Sequence, residues 1–409
     1  MKPEPNNRRI ADLHCHYPMR VLDDRAPEAI ADRRKCSGRW FWLDGLRCFV
    51  MLLLARLFNF RSFWASWRVT FGGLKAGRAG LVLSVLYDPA HELLVKPGKQ
   101  EPHPAAFKGL LCHLRCVEAE LSRTDPEHVS HHVVKSRAEL AQTLQAGRMA
   151  FVHCVEGGFH LGDTVGDIKQ NVATLADEGV AYITLAHLFY RGIASNANAL
   201  PFLSDGCYDF IFRQRERGLS ALGRALVDAM YEHDMLIDIT HMDAPALRAT
   251  FDRLDELDRL SGARPEAHPV IASHAGYRFG ELDYMLDEDT IERLARRGGV
   301  IGLILAKHQL QDGFSRQEIK SARFYALDRH IQKIFDVTGS HEHTCIGSDH
   351  DGFIKPTVSK IYGSAELGDI EDWLRGKEEY AAAADAILFG NAERVVAGAL
   401  RSGVGDPRA

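Results

Sequence analysis

The stretch IADLHCHYPM, residues 10–19, sets His14 and His16 one residue apart at the end of a short apolar run. Two imidazoles at i and i+2 of a strand leave the same face, and imidazole nitrogen is a preferred zinc ligand. Alone, such a pair is more often two partly exposed loop histidines. Other apolar runs end on polar groups in the same way. Glu156 follows one run, His187, His241 and His274 end three more, and Asp349 ends the last. Each of these residues has an ordinary explanation by itself: Glu156 as a helix-start carboxylate, His187 as a core histidine, Asp349 and Asp351 as turn formers in GSDHDG. Six convergent strand ends are not well explained that way.

His14, His16, Glu156, His241 and His274 supply four imidazoles and one carboxylate, too many for one catalytic ion that keeps an open position. They suit two Zn2+ ions per chain, bridged by Glu156 and a hydroxide. Ions roughly 3.5–4 Å apart share that hydroxide, lower its pKa and polarise a carbonyl. Asp349 is then placed to take the proton of the attacking water and pass it to the leaving group. His187 is left as a donor to the developing oxyanion, and so as a contact to substrate. The chemistry expected is metal-assisted hydrolysis of an amide or ester. His153, His160, His308 and His350 also lie near strand ends and are read as supporting or structural.

The elements that must position these residues are eight apolar runs: 9–14, 79–87, 148–157, 180–188, 235–241, 268–274, 298–306 and 343–349. Between most of them lie stretches of helical periodicity, such as DIKQNVATLADEG, ALGRALVDAMYEHD and DEDTIERLARRGG. Near-continuous apolar strands alternating with helices predict a parallel sheet covered on both faces. Eight such units predict an α/β fold of the (β/α)8 TIM-barrel type, with the site at the C-terminal strand ends. One domain over 1–409 is expected.

About 65 residues separate the first two runs, far more than a usual connection. Residues 37–75 are read as a helical, aromatic-rich insertion. Its 40–71 stretch holds Trp40, Trp42, Trp64 and Trp67, four of the five tryptophans, and Arg47, Arg56, Arg61 and Arg68 against the single acid Asp44. The apolar run CFVMLLLA is much shorter than the ~20 residues of a spanning helix. A helix packed on the barrel or a subunit interface is expected; a lid, or an amphipathic contact with a membrane surface, is the alternative.

A net charge of −5, with 46% hydrophobic and 26% charged residues, gives no footing for nucleic-acid binding. The eight cysteines are scattered, and a chain of this size needs no staples, so they are read as reduced thiols. CHLRC (112–116) with HVSHH (128–132) hints at a structural zinc, but Cys112 and Cys116 fall one turn apart on an expected helix, which disfavours it. Without an apolar signal core at the start or a hydrophobic tail at the end, a cytoplasmic protein is expected, peripheral to membrane if 40–71 touches one.

In order along the chain, VEGG (155–158), YITLAH (182–187), GLSALGRALVDAMYEHDMLIDITH (218–241), PVIASHAGYR (269–278), IGSDHDG (346–352) and GNAERV (390–395) resemble motifs of the membrane (renal-type) dipeptidases. These are zinc metallopeptidases of the amidohydrolase superfamily. The resemblance covers most of the chain outside 17–75. It implies a (β/α)8 barrel, two zinc ions and often a homodimer. It further implies that Glu156 bridges the metals, that His241 and His274 bind them, that His187 contacts substrate and that Asp349 is the catalytic aspartate.

Two departures from that pattern bear on substrate. The family usually carries His-x-Asp on the first strand, where this chain has His14-x-His16. The five ligands then sum to about −1 rather than −2, with histidines neutral. That either acidifies the bound water further or weakens one metal. The family's carboxylate-binding arginine falls about ten residues after the sixth-run histidine, where this chain reads FGELDYMLDED (279–289), with no arginine. Arg278 and Arg191 are the candidate substitutes. The expected activity is hydrolysis of a dipeptide or related small amide. The alternative is an N-acyl amide, lactone or ester substrate. A catalytically silent barrel that binds a partner through 40–71 is the third reading, and the complete ligand set argues against it.

Overall fold

Eight parallel strands hydrogen-bond around a closed ring, and a ninth flanks it. The computed structural model describes residues 10–23, 67–88, 92, 106–127, 129–354 and 357–401. Its strands are β1 (Ile10–Cys15), β2 (Ala79–Leu86), β3 (His131–Val133), β4 (Met149–Glu156), β5 (Tyr182–Thr184), β6 (Leu236–Asp238), β7 (Val270–Ala275), β8 (Val300–Leu303) and β9 (Thr344–Ile346). The ring runs β1-β2-β4-β5-β6-β7-β8-β9 and closes where Asp12 of β1 pairs with Ile346 of β9. Closure leaves no unpaired sheet edge around the ring. This is the (β/α)8 TIM barrel expected from the alternation of runs.

The strands form where they do because their sequences can be buried on both faces. AGLVLSVL of β2 and MAFVHCVE of β4 are buried along their whole length. The periodic stretches between strands are helices Val165–Asp177, Ala221–Glu232 and Glu288–Arg296. Thr164, Ser220 and Asp287 begin them, each side chain accepting an otherwise unpaired amide of the first turn. In the first of these helices Ile168, Val172, Leu175 and Ala176 form the buried stripe. Each large apolar side chain so removed from water contributes about 1.5–3 kcal/mol.

The structure differs from the sequence expectation in two respects. First, β3 was not anticipated. Its three residues, HHV, are too few to show alternation; β4 supplies the pairing, with His131 to Val133 beside Met149 to Phe151. Second, β5, β6 and β9 stop three residues before His187, His241 and Asp349, which therefore lie on the loops leaving the strands. His241 and Asp349 adopt φ of 69° and 53°, a left-handed conformation that a strand does not admit. The chain turns there to fold over the barrel mouth.

Two glycines let the strands close up under the site. A Cβ on Gly302 or Gly347 would fall 2.0 Å or 1.8 Å from the Ser273 carbonyl oxygen.

Residues 37–66 of the aromatic insertion lie outside the described residues. Its end is tied to the loop that carries Asp349: the Asp351 carboxylate accepts the amides of Arg68 (3.0 Å) and Val69 (2.8 Å). Thr70 then caps helix Phe71–Ala76, and the Phe71 ring stacks on Phe151 of β4. No helix among the described residues is long and apolar enough to cross a membrane.

Candidate metal centre

Seven side chains from the C-terminal strand ends meet at the barrel mouth. His14 lies within β1 and His16 just past it; Glu156 is the last residue of β4, and His274 lies in β7. Glu156 is the hub. Its Oε1 stands 3.3 Å from His14 Nε2, 3.4 Å from His241 Nε2 and 3.5 Å from His274 Nε2. Its Oε2 stands 3.3 Å from both His16 Nε2 and His187 Nε2. Asp349 Oδ1 is 3.3 Å from His16 Nε2 and 3.9 Å from His14 Nε2. His187 thus comes as near to Glu156 as the four histidines expected to bind metal. All seven residues are buried.

The residues fit a metal centre on two observations. Both oxygens of Glu156 are buried and neither receives a hydrogen bond. A bare carboxylate in that position is costly unless a positive charge compensates it. In addition, ring nitrogens face one another, His14 Nε2 to His16 Nε2 at 3.3 Å and His241 Nε2 to His274 Nε2 at 3.1 Å. Two nitrogens about 2.0–2.1 Å from one tetrahedral ion lie about 3.3 Å apart. Three groups of ligand atoms are close enough to share an ion: His14, His16 and Glu156; His14, His274 and Asp349; Glu156, His187 and His241.

Electrostatics point the same way. Burial pushes the Glu156 carboxyl up, but the His187, His14 and His16 imidazoles outweigh it and hold the group well below the usual carboxylate range. Burial pushes His274 well below the ordinary imidazole value, and neighbouring His14 and His241 add to this. Burial and His187 lower His241 likewise. Burial also opposes charge on His187, yet Glu156 and Glu92 raise it to about 9. Burial likewise opposes charge on His14, yet Glu156 and Asp349 raise it, so the carboxylates draw positive charge onto His14 and His187 while burial keeps His241 and His274 low.

Several residues behind the ligands were not singled out by sequence. Glu92, wholly buried, accepts from His187 Nδ1 (2.5 Å), the Tyr87 hydroxyl (2.6 Å) and the Phe189 amide (3.0 Å). Asp12 accepts the Ser348 amide (2.8 Å) and hydroxyl (2.6 Å), tying β1 to the loop before Asp349. Asp238 and Ser273 lie under His14 and His274. For Asp12 and Ser273 a signal existed: polar residues inside apolar strands, Asp12 at the parity of His14 two residues on and Ser273 directly beside His274; Asp238 breaks its apolar run three residues before His241. For Glu92 no local pattern marks the residue.

The two candidate arginines are placed differently. Arg191 is buried and its guanidinium donates to the Glu92 carbonyl oxygen. Arg278 Nε donates to the Met285 carbonyl (2.9 Å), Nη2 to the Asp283 carbonyl (3.2 Å), and Nη1 pairs with the Asp283 carboxylate (3.0 Å). Its guanidinium is engaged by the loop that follows it. His308 lies on the rim, with Nε2 3.4 Å from the Ala199 carbonyl.

The model of the membrane dipeptidase family, peptidase family M19, matches residues 80–400, so His14 and His16 precede the matched stretch. An uncharacterised dipeptidase of Schizosaccharomyces pombe is 31% identical over 207 residues, 50% of this chain and 42% of that protein. A dipeptidase of Aspergillus oryzae is 24% identical over 208 residues, 50% of this chain and 41% of that protein. The matched stretch thus spans less than half the length of these curated relatives. A metallopeptidase of Rhodobacter sphaeroides, solved with a phosphinate mimic of the dipeptide L-Ala-D-Ala, superposes with a TM-score of 0.65 at 15% identity, over 95% of this chain and 99% of that one. A probable dipeptidase of Pseudomonas aeruginosa gives 0.56 at 16% identity, over 82% and 90%. At these identities the structural likeness is one of fold.

Proposed function

The chain belongs to the membrane dipeptidase family, and from that premise we propose that it is a binuclear zinc hydrolase cleaving the amide bond of a dipeptide or a closely related small substrate. The observation that carries this reading is Glu156: a buried carboxylate with no hydrogen-bond donor on either oxygen, ringed by five imidazole nitrogens at 3.3–3.5 Å. His14, His16, His241 and His274 would hold two zinc ions across it. When bound, such ions supply Lewis acidity and lower the pKa of water.

The chain's own residues do the rest. Glu156 would hold the two ions together with its paired carboxylate oxygens. His187, aimed by Glu92, donates to the substrate carbonyl oxygen as negative charge develops on it. Asp349 accepts the proton of the attacking water and returns it to the leaving nitrogen. Its position beside His16 and His14 supports that role. Both arginines are engaged, but Arg191 holds the backbone of Glu92, the residue that aims His187, and so is the candidate for the substrate carboxylate nearer the centre; Arg278 is held by its own loop.

That same engagement of Arg278 favours a second reading, an N-acyl amide, lactone or ester substrate that requires no arginine clamp. One experiment separates the two. The purified chain, with zinc and with chelator, is offered L,L- and L,D-dipeptides, N-acyl amino acids and lactones. Chelator-sensitive dipeptide hydrolysis supports the first reading. Turnover confined to acyl compounds supports the second, and no zinc uptake with no turnover overturns both.

A further inference from the structure

Beneath the imidazoles, one buried carboxylate sets the direction of a chain of hydrogen bonds. Asp238 Oδ1 accepts from the amides of Thr240 (3.1 Å) and Ser273 (2.9 Å) and from the Thr240 hydroxyl (2.7 Å). Asp238 Oδ2 accepts from the hydroxyls of Thr184 (2.5 Å) and Ser273 (2.6 Å). A serine hydroxyl has one proton, and that of Ser273 goes to Asp238. The Ser273 oxygen then turns its lone pairs to two ring nitrogens, His274 Nδ1 at 2.8 Å and His14 Nδ1 at 3.1 Å. His14 Nδ1 also meets the Tyr182 hydroxyl at 2.8 Å, whose own proton goes to the Leu13 carbonyl at 3.0 Å. Neither partner has a proton left for these rings. Nδ1 of His14 and of His274 must therefore carry the hydrogen, which leaves each Nε2 with its lone pair directed at the centre.

We propose that Ser273, oriented by Asp238, is a positioning residue that fixes the ring tautomer of His14 and His274 and so sets the affinity of the centre for its metal ions. The proposal rests on the metal-centre reading above. The order of the network leads to it. Every hydrogen bond from Asp238 outward has one permitted direction, and the last two end on ligand rings. The close approach of Gly302 and Gly347 to the Ser273 carbonyl holds that strand position in place. The device is also selective, since the buried Nδ1 atoms of His16 and His241 have no hydrogen-bond partner. Partners behind a ligand orient it and raise its basicity, and their loss typically weakens metal binding about 10- to 100-fold.

Two substitutions separate orientation from packing. Ser273→Ala removes the shared acceptor: the His274 ring becomes able to take either tautomer, and the His14 ring keeps only the Tyr182 hydroxyl to hold its own. Asp238→Asn changes shape little but reverses one bond. The two amides at Oδ1 require a carbonyl oxygen there, so the new NH2 stands at the Oδ2 position and donates to Ser273. The hydroxyl must then give its own proton to His14 or His274, and that ring takes the Nε2–H form, which cannot bind a metal.

The test uses the full chain and zinc alone, with affinity measured by competition against a chromophoric chelator. Ring tautomers are read in the metal-free protein from the 15N shifts of labelled histidine. Ser273→Ala is expected to bind zinc about 10- to 100-fold more weakly while keeping the circular dichroism of the parent. Asp238→Asn is expected to show a new Nε2–H ring. Ser273→Ala alone decides the matter if Asp238→Asn does not fold. Equal zinc affinity in Ser273→Ala and the parent overturns the proposal, as does an Nε2–H form of His14 and His274 in the metal-free parent. A parent chain that takes up no zinc removes the metal-centre reading instead, and the metal-free spectra still decide the tautomers.

Discussion

Glu92 Oε2 lies 2.5 Å from His187 Nδ1, joining two buried side chains 95 residues apart. The carboxylate accepts the Nδ1 hydrogen and, together with Glu156, raises the ring to about 9, so Nε2 also carries a hydrogen that it can give to a substrate oxygen. Glu92→Gln keeps the shape and removes the charge. We expect kcat/KM to fall about 10- to 100-fold with zinc content unchanged by metal analysis. Parent-like kcat/KM would show that His187 needs no such partner.

Glu156 is the one carboxylate among the five expected ligands. Glu156→Gln should cut bound zinc from about two equivalents to one or fewer, because a neutral amide cannot balance two cations. Elemental analysis after dialysis reads this directly. Retention of both ions would remove Glu156 from the bridging role.

Asp349 sits in a left-handed turn beside Gly352, where a Cβ would come 1.8 Å from Asp349 Oδ1. The carboxylate is thus closely held. Asp349→Asn should keep its zinc and lose about 10²- to 10⁴-fold in kcat. Full turnover in this variant means that another group moves the proton.

Arg191 and Arg278 can be told apart by their effect on KM. Arg191→Ala should raise KM for dipeptides about tenfold or more, the cost of one charge-assisted hydrogen bond of about 1.5–3 kcal/mol. It should leave KM for carboxylate-free analogues nearly unchanged. Arg278→Ala should alter both alike, by loosening the loop around Met285. The reverse pattern assigns the substrate carboxylate to Arg278.

Acid should destabilise the fold through buried neutral histidines. Burial pushes His330 and His153 down to about 4, against an ordinary value of 6.5. Each folded-state value lies below the unfolded one, so the unfolded chain binds protons first as pH falls. Their contribution is complete above pH 6.5 and is lost between 6.5 and about 4, of the order of 3 kcal/mol per group. His330 uses both ring nitrogens, one toward the Leu310 carbonyl and one accepting the Tyr277 amide. Thermal midpoints of His330→Gln measured from pH 7 to 4.5 should fall less steeply than those of the parent. Parallel curves would refute the assignment.

Much of the fold was legible because its signals are local. Both-face burial makes strands such as AGLVLSVL read as continuous apolar runs, and helix periodicity with a capping Thr164 or Ser220 marks what lies between. β3 escaped because three residues carry no pattern without β4 beside them. The apolar runs around His187, His241 and Asp349 extend three or four residues past the strands, because local composition does not report where the chain must bend over the mouth.

The sequence by itself determined the barrel class and which side chains stand at the C-terminal strand ends, His14, His16, Glu156 and His274 among them. Both follow from residue type and periodicity along a few neighbouring residues. Only the tertiary structure decided that Glu92 backs His187 and that Ser273 reaches His14 across 259 residues. Those contacts exist because the ring closes at a particular register. Register is set by strands meeting across the whole barrel, a distance over which no local pattern carries information.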